Sequence, residues 1–169
     1  MTAPLRRIKD QPNQRVLAMP DGILEDLRQD HQEFIELIER TLRSDAAKDR
    51  TLLFEELLHK LLAHQHAEQD VLYARLEKSG YEEARNFAYE GENEHQIVEH
   101  QLQQMWHAHN KISEQWSAQA TVLRELVSHH AAVEERAGFA WARRQFDAAT
   151  LGKMGEEFLR LKDRLLAEA

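Results

Sequence analysis

Proline is confined to the first twenty residues of this chain, at Pro4, Pro12 and Pro20. Proline breaks helices because it has no backbone N–H and its ring collides with the preceding turn. The rest of the chain therefore lacks the strongest helix breaker. It carries apolar side chains at intervals of three and four positions, which is the helical period, and shows no alternating strand pattern of useful length. The sequence predicts an all-α fold.

The apolar stripes divide into four long helical segments and one shorter C-terminal segment. Polar stretches at 44–49 and 110–113 separate them, as does Ser79-Gly80, where Gly80 is predicted to be a left-handed helix-ending glycine. The pattern breaks again near 150–152. Short turns join antiparallel helices, so we expect an up-down four-helix bundle with an additional C-terminal helix. The predicted organisation is an extended or disordered N-terminal arm at 1–20, the bundle at 21–148 and the C-terminal helix, packed on the bundle, at 149–169.

Composition excludes several classes of function. Lys plus Arg number 22 against 30 Asp plus Glu, and the net charge of −8 does not suit nucleic acid or anionic membranes. No apolar stretch approaches the length of a membrane-spanning helix. Cysteine is absent, which removes disulfides, thiol catalysis and thiolate metal sites. We expect a cytoplasmic domain with no nucleic-acid and no membrane partner.

Polar residues interrupt the apolar stripes at a comparable depth in all four helices. Histidine and glutamate are rarely buried without partners, because removing water from a charge is costly. In an up-down bundle, residues at one level lie equally far from the turn between them. The midpoints between successive polar positions fall near residue 48, Gly80 and Ile112, inside or beside turns that were identified independently. The residues expected to meet at one centre are His31, His64, Glu68, His95, His130 and Glu134.

Convergent imidazoles and carboxylates inside a helical bundle favour a metal site. His64-x-x-x-Glu68 and His130-x-x-x-Glu134 each place a histidine and a glutamate one turn apart on one helix face. A carboxylate so placed can bridge two metal ions about 3 to 4 Å apart. Without thiolate ligands, iron or manganese fits this donor set better than structural zinc.

Other interpretations of these residues exist. In the simplest interpretation, the histidines are hydrogen-bonded core residues, and the His–Glu pairs are surface pairs on a helix. A ferritin-like di-iron site would need Glu-x-x-His on two helices. Glu56-x-x-His59 and Glu92-x-x-His95 have that form, but residue 59 lies level with about residue 101 rather than residue 95, so we exclude this site.

Four motifs occur in order along residues 21–144, and they are Asp30-His31, His64-x-x-x-Glu68 with Leu72-Tyr73, Glu94-His95, and His130-x-x-x-Glu134-Glu135 with Phe139. Together they resemble the hemerythrin-like, HHE cation-binding domain. The resemblance implies a four-helix bundle that holds a non-haem di-iron centre, bridged by oxygen and by two carboxylates. It also implies that the four stripe histidines are terminal ligands and that the two stripe glutamates are the bridges.

One position departs from the oxygen-carrying members of that family. Those members have a second histidine one turn after the first on the third helix, and this chain has Glu99 there. Glu99 either supplies an oxygen ligand or faces away and leaves a coordination position open. Either change leaves four histidines instead of five, which weakens the inference of reversible oxygen carriage. Glu94 is a ligand or a solvated residue, and Asp30 is a hydrogen-bond partner of a ligand imidazole or a surface residue.

Three functional hypotheses follow from the resemblance. The first is a binding protein whose di-iron centre, oxo- or hydroxo-bridged, binds or senses a small ligand, namely O2, NO or peroxide; manganese or zinc is an alternative metal on isolation. The second is a di-iron enzyme that scavenges peroxide or nitric oxide. The third is a regulatory module in which the metal or oxygen state changes helix packing and a partner contact.

Overall fold

The computed structural model describes residues 21–169, and this range is helical except for short connections. The predicted all-α fold is confirmed for the described residues, while the predicted arm at 1–20 lies outside them. In chain order the elements are α1 (Ile23–Arg43), α2 (Ala47–Glu68), π1 (Gln69–Tyr73), α3 (Ala74–Leu76), α4 (Glu82–His107), α5 (Glu114–Val133), π2 (Glu134–Gly138), α6 (Phe139–Gln145) and α7 (Ala148–Glu168), where π1 and π2 are π-helical turns.

Two of the long helices contain a π-helical turn that the sequence pattern did not indicate. The turn π1 connects α2 to α3, and π2 connects α5 to α6, with right-handed helical dihedral angles at the junctions. Each set therefore forms one continuous helix. A π-turn holds an extra residue and shifts the register of the side chains that follow, and such turns are frequent at functional sites. Both lie at a predicted site residue, since Glu68 directly precedes π1 and Glu134 begins π2.

The helices pack side by side into a bundle. The helix α1 contacts α2 and α5, while α4 contacts α5 and α2, and α7 lies against α1 and α2. The predicted apolar stripes face inward, and Leu27, Phe34 and Ile38 of α1 are each at most 1% exposed. None of the helices within residues 21–169 has the length and apolarity needed to cross a bilayer.

The buried apolar side chains form two separate clusters, one around Leu27 and Phe139 and the other around Phe34 and Leu123. Along α1 and α4 the chain passes from the first cluster to the second. Along α2–α3 and α5–α6 it passes from the second cluster back to the first. The predicted polar positions lie where one cluster gives way to the other, so a polar layer separates two halves of the core.

A buried arginine holds the turn between α1 and α2. Arg50 is 5% exposed and donates to the carbonyl oxygens of Leu42, Ser44 and Lys111 at 2.9–3.3 Å, and to the Ser117 hydroxyl at 3.0 Å. Lys111 belongs to the α4–α5 connection, so one guanidinium ties two loops together at this end of the bundle. The predicted turn at 44–49 is observed here as residues 44–46.

The other predicted turns agree only in part. Ser113 caps α5 as expected, because its hydroxyl accepts the backbone N–H three residues later at 3.1 Å. Gly80 was expected to be left-handed, and this prediction is wrong, since its φ is not positive. Ser79 closes the turn instead. Its N–H donates to the Leu76 carbonyl at 2.9 Å, and its hydroxyl accepts the Tyr81 N–H at 3.0 Å.

The last helix begins at Ala148, one residue before the predicted start at 149 and ahead of the predicted break at 150–152. Asp147 caps α7, and its carboxylate accepts the Thr150 N–H at 2.8 Å. Residues 150–152 therefore lie inside the helix, and the expected break there is wrong. The capping aspartate directly follows Phe146 and gave a weaker sequence signal than the glycine at 152.

Two glycines allow α7 to approach the start of α1 closely. Gly22 has a φ of +49°, and a Cβ at this position would lie 2.3 Å from the Leu151 carbonyl oxygen. A Cβ on Gly155 would lie 2.8 Å from the Asp26 carboxylate. Any larger side chain at either position would push the two helices apart.

Candidate metal centre

The structure buries all six residues that the stripes predicted as a polar cluster. Each is at most 8% exposed, and all lie in the layer between the two apolar clusters. The other histidines are exposed or half-buried. The buried six are His31, His64, Glu68, His95, His130 and Glu134, and the remaining histidines are His59, His66, His100, His107, His109 and His129.

Four helices contribute to the cluster. His31 and His95 lie within α1 and α4, whereas His64 and His130 lie in the last turn or two before π1 and π2. The two glutamates follow the latter histidines by four residues, which places each pair on one helix face. Each of the four helices therefore supplies an imidazole, and two of them also supply a carboxylate.

Glu68 lies between imidazoles from two helices. Its Oε2 is 3.6 Å from His64 Nε2 and 3.4 Å from His95 Nε2. The His95 Nε2 is also 3.1 Å from His130 Nε2, and one ligand atom from each of Glu68, His95 and His130 lies within 4.8 Å of the others. Two nitrogens that bind one ion at right angles, each about 2.1 Å from it, are about 3 Å apart. This spacing suits a shared metal ion.

Glu134 lies on the other side of the cluster. Its Oε2 is 3.2 Å from His31 Nε2 and 4.0 Å from His130 Nε2. The shorter contact lacks the geometry of a hydrogen bond. All four histidines therefore direct Nε2 toward one of the two central carboxylates.

Three of the imidazoles are anchored through their other nitrogen. A carboxylate that accepts from Nδ1–H fixes the ring and leaves the Nε2 lone pair free to bind a metal. His95 is the exception, because its Nδ1 has no hydrogen-bond partner among the described residues. The three anchors are Glu135 Oε1 on His31 (3.0 Å), Asp30 Oδ2 on His64 (2.9 Å) and Glu94 Oε2 on His130 (2.7 Å).

The cluster holds most of the unpaired buried polar atoms of residues 21–169. Six buried side-chain nitrogen or oxygen atoms have no hydrogen-bond partner in this range, and five of them belong to the cluster. An unpaired buried group costs roughly 1–3 kcal/mol, and native proteins keep few of them. A cation at the centre would supply partners for His31 Nε2 and for the carboxylate oxygens, so the donor set fits a metal. The five atoms are His31 Nε2, Glu68 Oε1, Glu68 Oε2, His95 Nδ1 and Glu134 Oε2.

Burial and mutual repulsion set the protonation of the cluster. Burial and the Glu134 charge raise the pKa of Glu68 well above its ordinary value. The pKa of Glu134 is lowered, because the neighbouring Glu68 carboxyl and His31 imidazole favour its charged form more than burial disfavours it. Of the two carboxyls, Glu68 is therefore the one that protonates more readily. Burial lowers the pKa of His64 to about 4 and that of His95 well below its ordinary value, so both imidazoles are neutral, as metal binding requires.

Tyr73 is a site residue to which the sequence analysis assigned no role. It ends π1, is fully buried, and donates its hydroxyl to Glu134 Oε1 at 3.4 Å. Its ring stacks on His95 with centroids 5.4 Å apart. Burial and the Glu134 charge raise its pKa well above the ordinary value, so it remains a donor. Gly91 makes the space, since a Cβ there would lie 2.6 Å from the hydroxyl oxygen.

Glu99, which was expected either to supply an oxygen ligand or to face away, is not brought into the cluster. It is half-buried and accepts from Gln103 Nε2 at 3.0 Å on the helix surface. Val98 faces the cluster in its place.

Glu94 and Asp30 contact imidazoles at Nδ1 rather than the centre, and Glu135 does the same without having been predicted. Spacing alone does not show which of several neighbouring acidic residues faces an imidazole.

A small apolar cavity adjoins all four histidines. Its volume is about 10 Å³, and its walls include Phe34, Leu61, Val98 and Val127. This volume is close to the minimum that holds one water molecule. The cavity therefore holds at most one water-sized molecule without rearrangement of its walls.

The fold and the site together define a helical bundle with a buried imidazole–carboxylate cluster that suits a metal ion. The family model of the hemerythrin HHE cation binding domain matches residues 22–142, a range that contains all six residues of the cluster. The chain belongs to this family, and the resemblance found in its motifs is confirmed. Comparisons with curated proteins and with solved structures gave no significant match.

Proposed function

We propose that this chain binds two iron ions in a carboxylate-bridged di-iron centre. The position of each central carboxylate between imidazoles of different helices supports a bridging role. The unpaired carboxylate oxygens support it as well. The proposed terminal ligands are His31, His64, His95 and His130, and the proposed bridges are Glu68 and Glu134.

We propose that residues 21–148 form an up-down four-helix bundle and that residues 149–169 form a C-terminal helix packed on it. Each helix runs from one apolar cluster to the other, and the direction reverses from one helix to the next along the chain. This alternation supports antiparallel neighbours. Contacts of α1 with α2 and α5, and of α4 with the same two helices, support a ring of four.

The donor set favours iron over structural zinc. The chain has no cysteine, and imidazole–carboxylate sites suit iron and manganese. Iron supplies redox chemistry toward small oxygen and nitrogen compounds. The protein's part is to hold the two ions at Nε2 and carboxylate oxygens, to orient the imidazoles through their Nδ1 partners, and to exclude water with apolar walls. Tyr73 adds a hydrogen bond to Glu134 and so restrains this carboxylate.

The proposed function is binding or sensing of O2, NO or peroxide. Four imidazoles and two carboxylates would supply about eight ligand atoms, fewer than the roughly twelve that two ions with six ligands each would take. A small ligand could therefore bind at the ions beside these side chains. The observation that carries the proposal is the cavity of about 10 Å³ against the four histidines, which has room for a very small ligand only.

Rapid mixing tests this proposal. Anaerobic protein loaded with Fe²⁺ is mixed separately with O2, NO and hydrogen peroxide, and both absorbance and ligand consumption are followed. We expect uptake of about one ligand molecule per iron pair. His64→Ala should abolish uptake and His66→Ala should retain it, because His66 lies exposed on the same helix.

Two results would contradict the proposal. Iron-loaded protein that takes up none of the three ligands would exclude the binding function. Consumption of many peroxide or nitric oxide molecules per site would favour the alternative, a di-iron enzyme that scavenges these compounds.

A further inference from the structure

Lys162 on α7 is linked to the candidate metal centre by a short chain of hydrogen bonds. Its Nζ lies 2.7 Å from both Oδ1 and Oδ2 of Asp30. Asp30 Oδ2 in turn lies 2.9 Å from His64 Nδ1. The lysine side chain is 16% exposed and that of the aspartate 9%, so this ion pair is much less solvated than a surface pair.

The fold holds α7 in place for this contact. The close approach at Gly22 and Gly155 anchors the first turns of α7 against the start of α1. One turn before Lys162, the fully buried ring of Phe158 meets the His64 ring edge-on, with centroids 5.6 Å apart. The Lys162 ammonium also lies 5.2 Å from the centre of the Phe158 ring. The helix α7 therefore restrains His64 both directly and through Asp30.

Neither the motifs nor the family match assigns this helix a part in the site. The match ends at residue 142, and α7 begins at Ala148. A carboxylate that orients a metal-binding imidazole must itself be held, because a free carboxylate turns toward solvent. Asp30 and Lys162 line a surface cavity of about 90 Å³, so solvent is close on that side.

We propose that Lys162 is a positioning residue of the metal centre. By binding both oxygens of Asp30, it keeps one of them directed at His64 Nδ1. His64 then carries its proton on Nδ1 and presents the Nε2 lone pair to the metal. The consequence for metal binding rests on the proposed di-iron function, but the orientation of His64 exists in the metal-free protein and can be measured there.

The first experiment reads the His64 tautomer in the metal-free protein by long-range proton–nitrogen NMR. We expect the Nδ1–H tautomer in the wild type, in Lys162→Arg and in Lys153→Met, which removes an exposed lysine of the same helix. Lys162→Met should shift a large fraction to the other tautomer. An unchanged tautomer in Lys162→Met would overturn the proposal, as would a failure of Lys162→Arg to preserve it.

The second experiment measures Co²⁺ affinity in a double-mutant cycle. Lys162→Met should weaken Co²⁺ binding by about tenfold, at the lower end of the effect of losing an outer hydrogen-bond partner. In an Asp30→Ala background, Lys162→Met should cause no further loss of Co²⁺ affinity, because Lys162 acts through Asp30. An equal loss in both backgrounds would overturn the proposal. Wild-type protein that binds no Co²⁺ would contradict the proposed metal site, while the tautomer measurement would still decide the role of Lys162.

Discussion

A buried histidine needs partners at both ring nitrogens. In the cluster, three of the four imidazoles have a hydrogen-bond partner at Nδ1. Asp30, Glu94 and Glu135 accept from these three. At Nε2 the neighbours are acceptor oxygens and other imidazoles, so several lone pairs face the same space. A cation can bind all of these lone pairs at once, whereas one proton can be shared by only two of them. Two buried carboxyls in contact also repel each other once both are charged. The metal-free site is therefore unfavourable by itself, which is the expected cost of a preformed metal site.

Glu68→Gln is expected to stabilise the metal-free protein and to weaken metal binding. The folded-state pKa of Glu68 is raised, so its contribution to stability is complete below its ordinary value of 4.5 and is lost as the pH rises. Glutamine keeps the shape without this dependence. We expect the free energy of unfolding at neutral pH to rise by about 1–3 kcal/mol, and the gain to disappear near pH 4.5.

Urea unfolding of the metal-free protein at two pH values checks this expectation. Glu125→Gln is the matched control, because Glu125 is exposed on α5, and its effect should stay within about 0.5 kcal/mol. Destabilisation by Glu68→Gln at neutral pH would show that the carboxyl pair imposes no such cost.

At the scale of elements, the two π-turns shape the site. Each lies at a central glutamate, and the extra residue shifts the register of the positions up to Tyr73 in π1 and Gly138 in π2. The His-x-x-x-Glu spacing is the same in an uninterrupted α-helix, so no sequence pattern distinguishes the two.

Gly138→Ala is expected to damage the site through π2. A Cβ at this position would lie 2.5 Å from the Phe87 ring and 3.1 Å from Glu134 Cγ. Alanine normally stabilises a helix relative to glycine, but here we expect a loss of about 1–3 kcal/mol from overpacking, together with weaker metal binding. Thermal unfolding and a metal titration measure the two effects.

Gly80→Ala is the control for this substitution. A Cβ at Gly80 meets no atom within 4 Å, and its φ is not positive. We expect no loss of stability and unchanged metal binding. If Gly138→Ala stabilised the protein instead of destabilising it, the tight packing around π2 would be refuted.

The helix faces and the depth of the cluster were predictable, because both depend on local periodicity and on turn positions. His31, His64, His95 and His130 are buried at one level for that reason. The interaction of Lys162 with Asp30 was not predictable, since 132 residues separate them and the docking of α7 is not a local property. The sequence left two positions open for Glu99, because a residue four positions from a site histidine can either turn toward the site or pair along the helix surface, as Glu99 does with Gln103.

At the scale of the whole molecule, the polar layer divides the core into two apolar halves. The stability of the fold comes from the two clusters, while the layer between them contributes unpaired groups. Because four helices supply the donors, a metal ion would connect all of them across this layer. Metal binding and the stability of the entire bundle are therefore expected to be coupled.

Metal removal should lower the stability of the whole bundle in one transition. The unfolded chain does not assemble the site, so free metal at 100 times its Kd should add about 2.7 kcal/mol for each independent site. Anaerobic thermal unfolding with Fe²⁺, and again after a chelator, measures the difference. An identical Tm in both states would show that the buried donors do not bind the metal.

The six buried side chains are proposed to hold a pair of iron ions. The most direct test is the iron content per chain of folded protein from iron-supplemented cells, for the wild type, for His130→Ala, and for His129→Ala as the exposed neighbour. We expect about two irons per chain in the wild type and in His129→Ala, and a sharp loss in His130→Ala. Folded wild-type protein without iron would contradict the metal site, and a single iron per chain would contradict the pair.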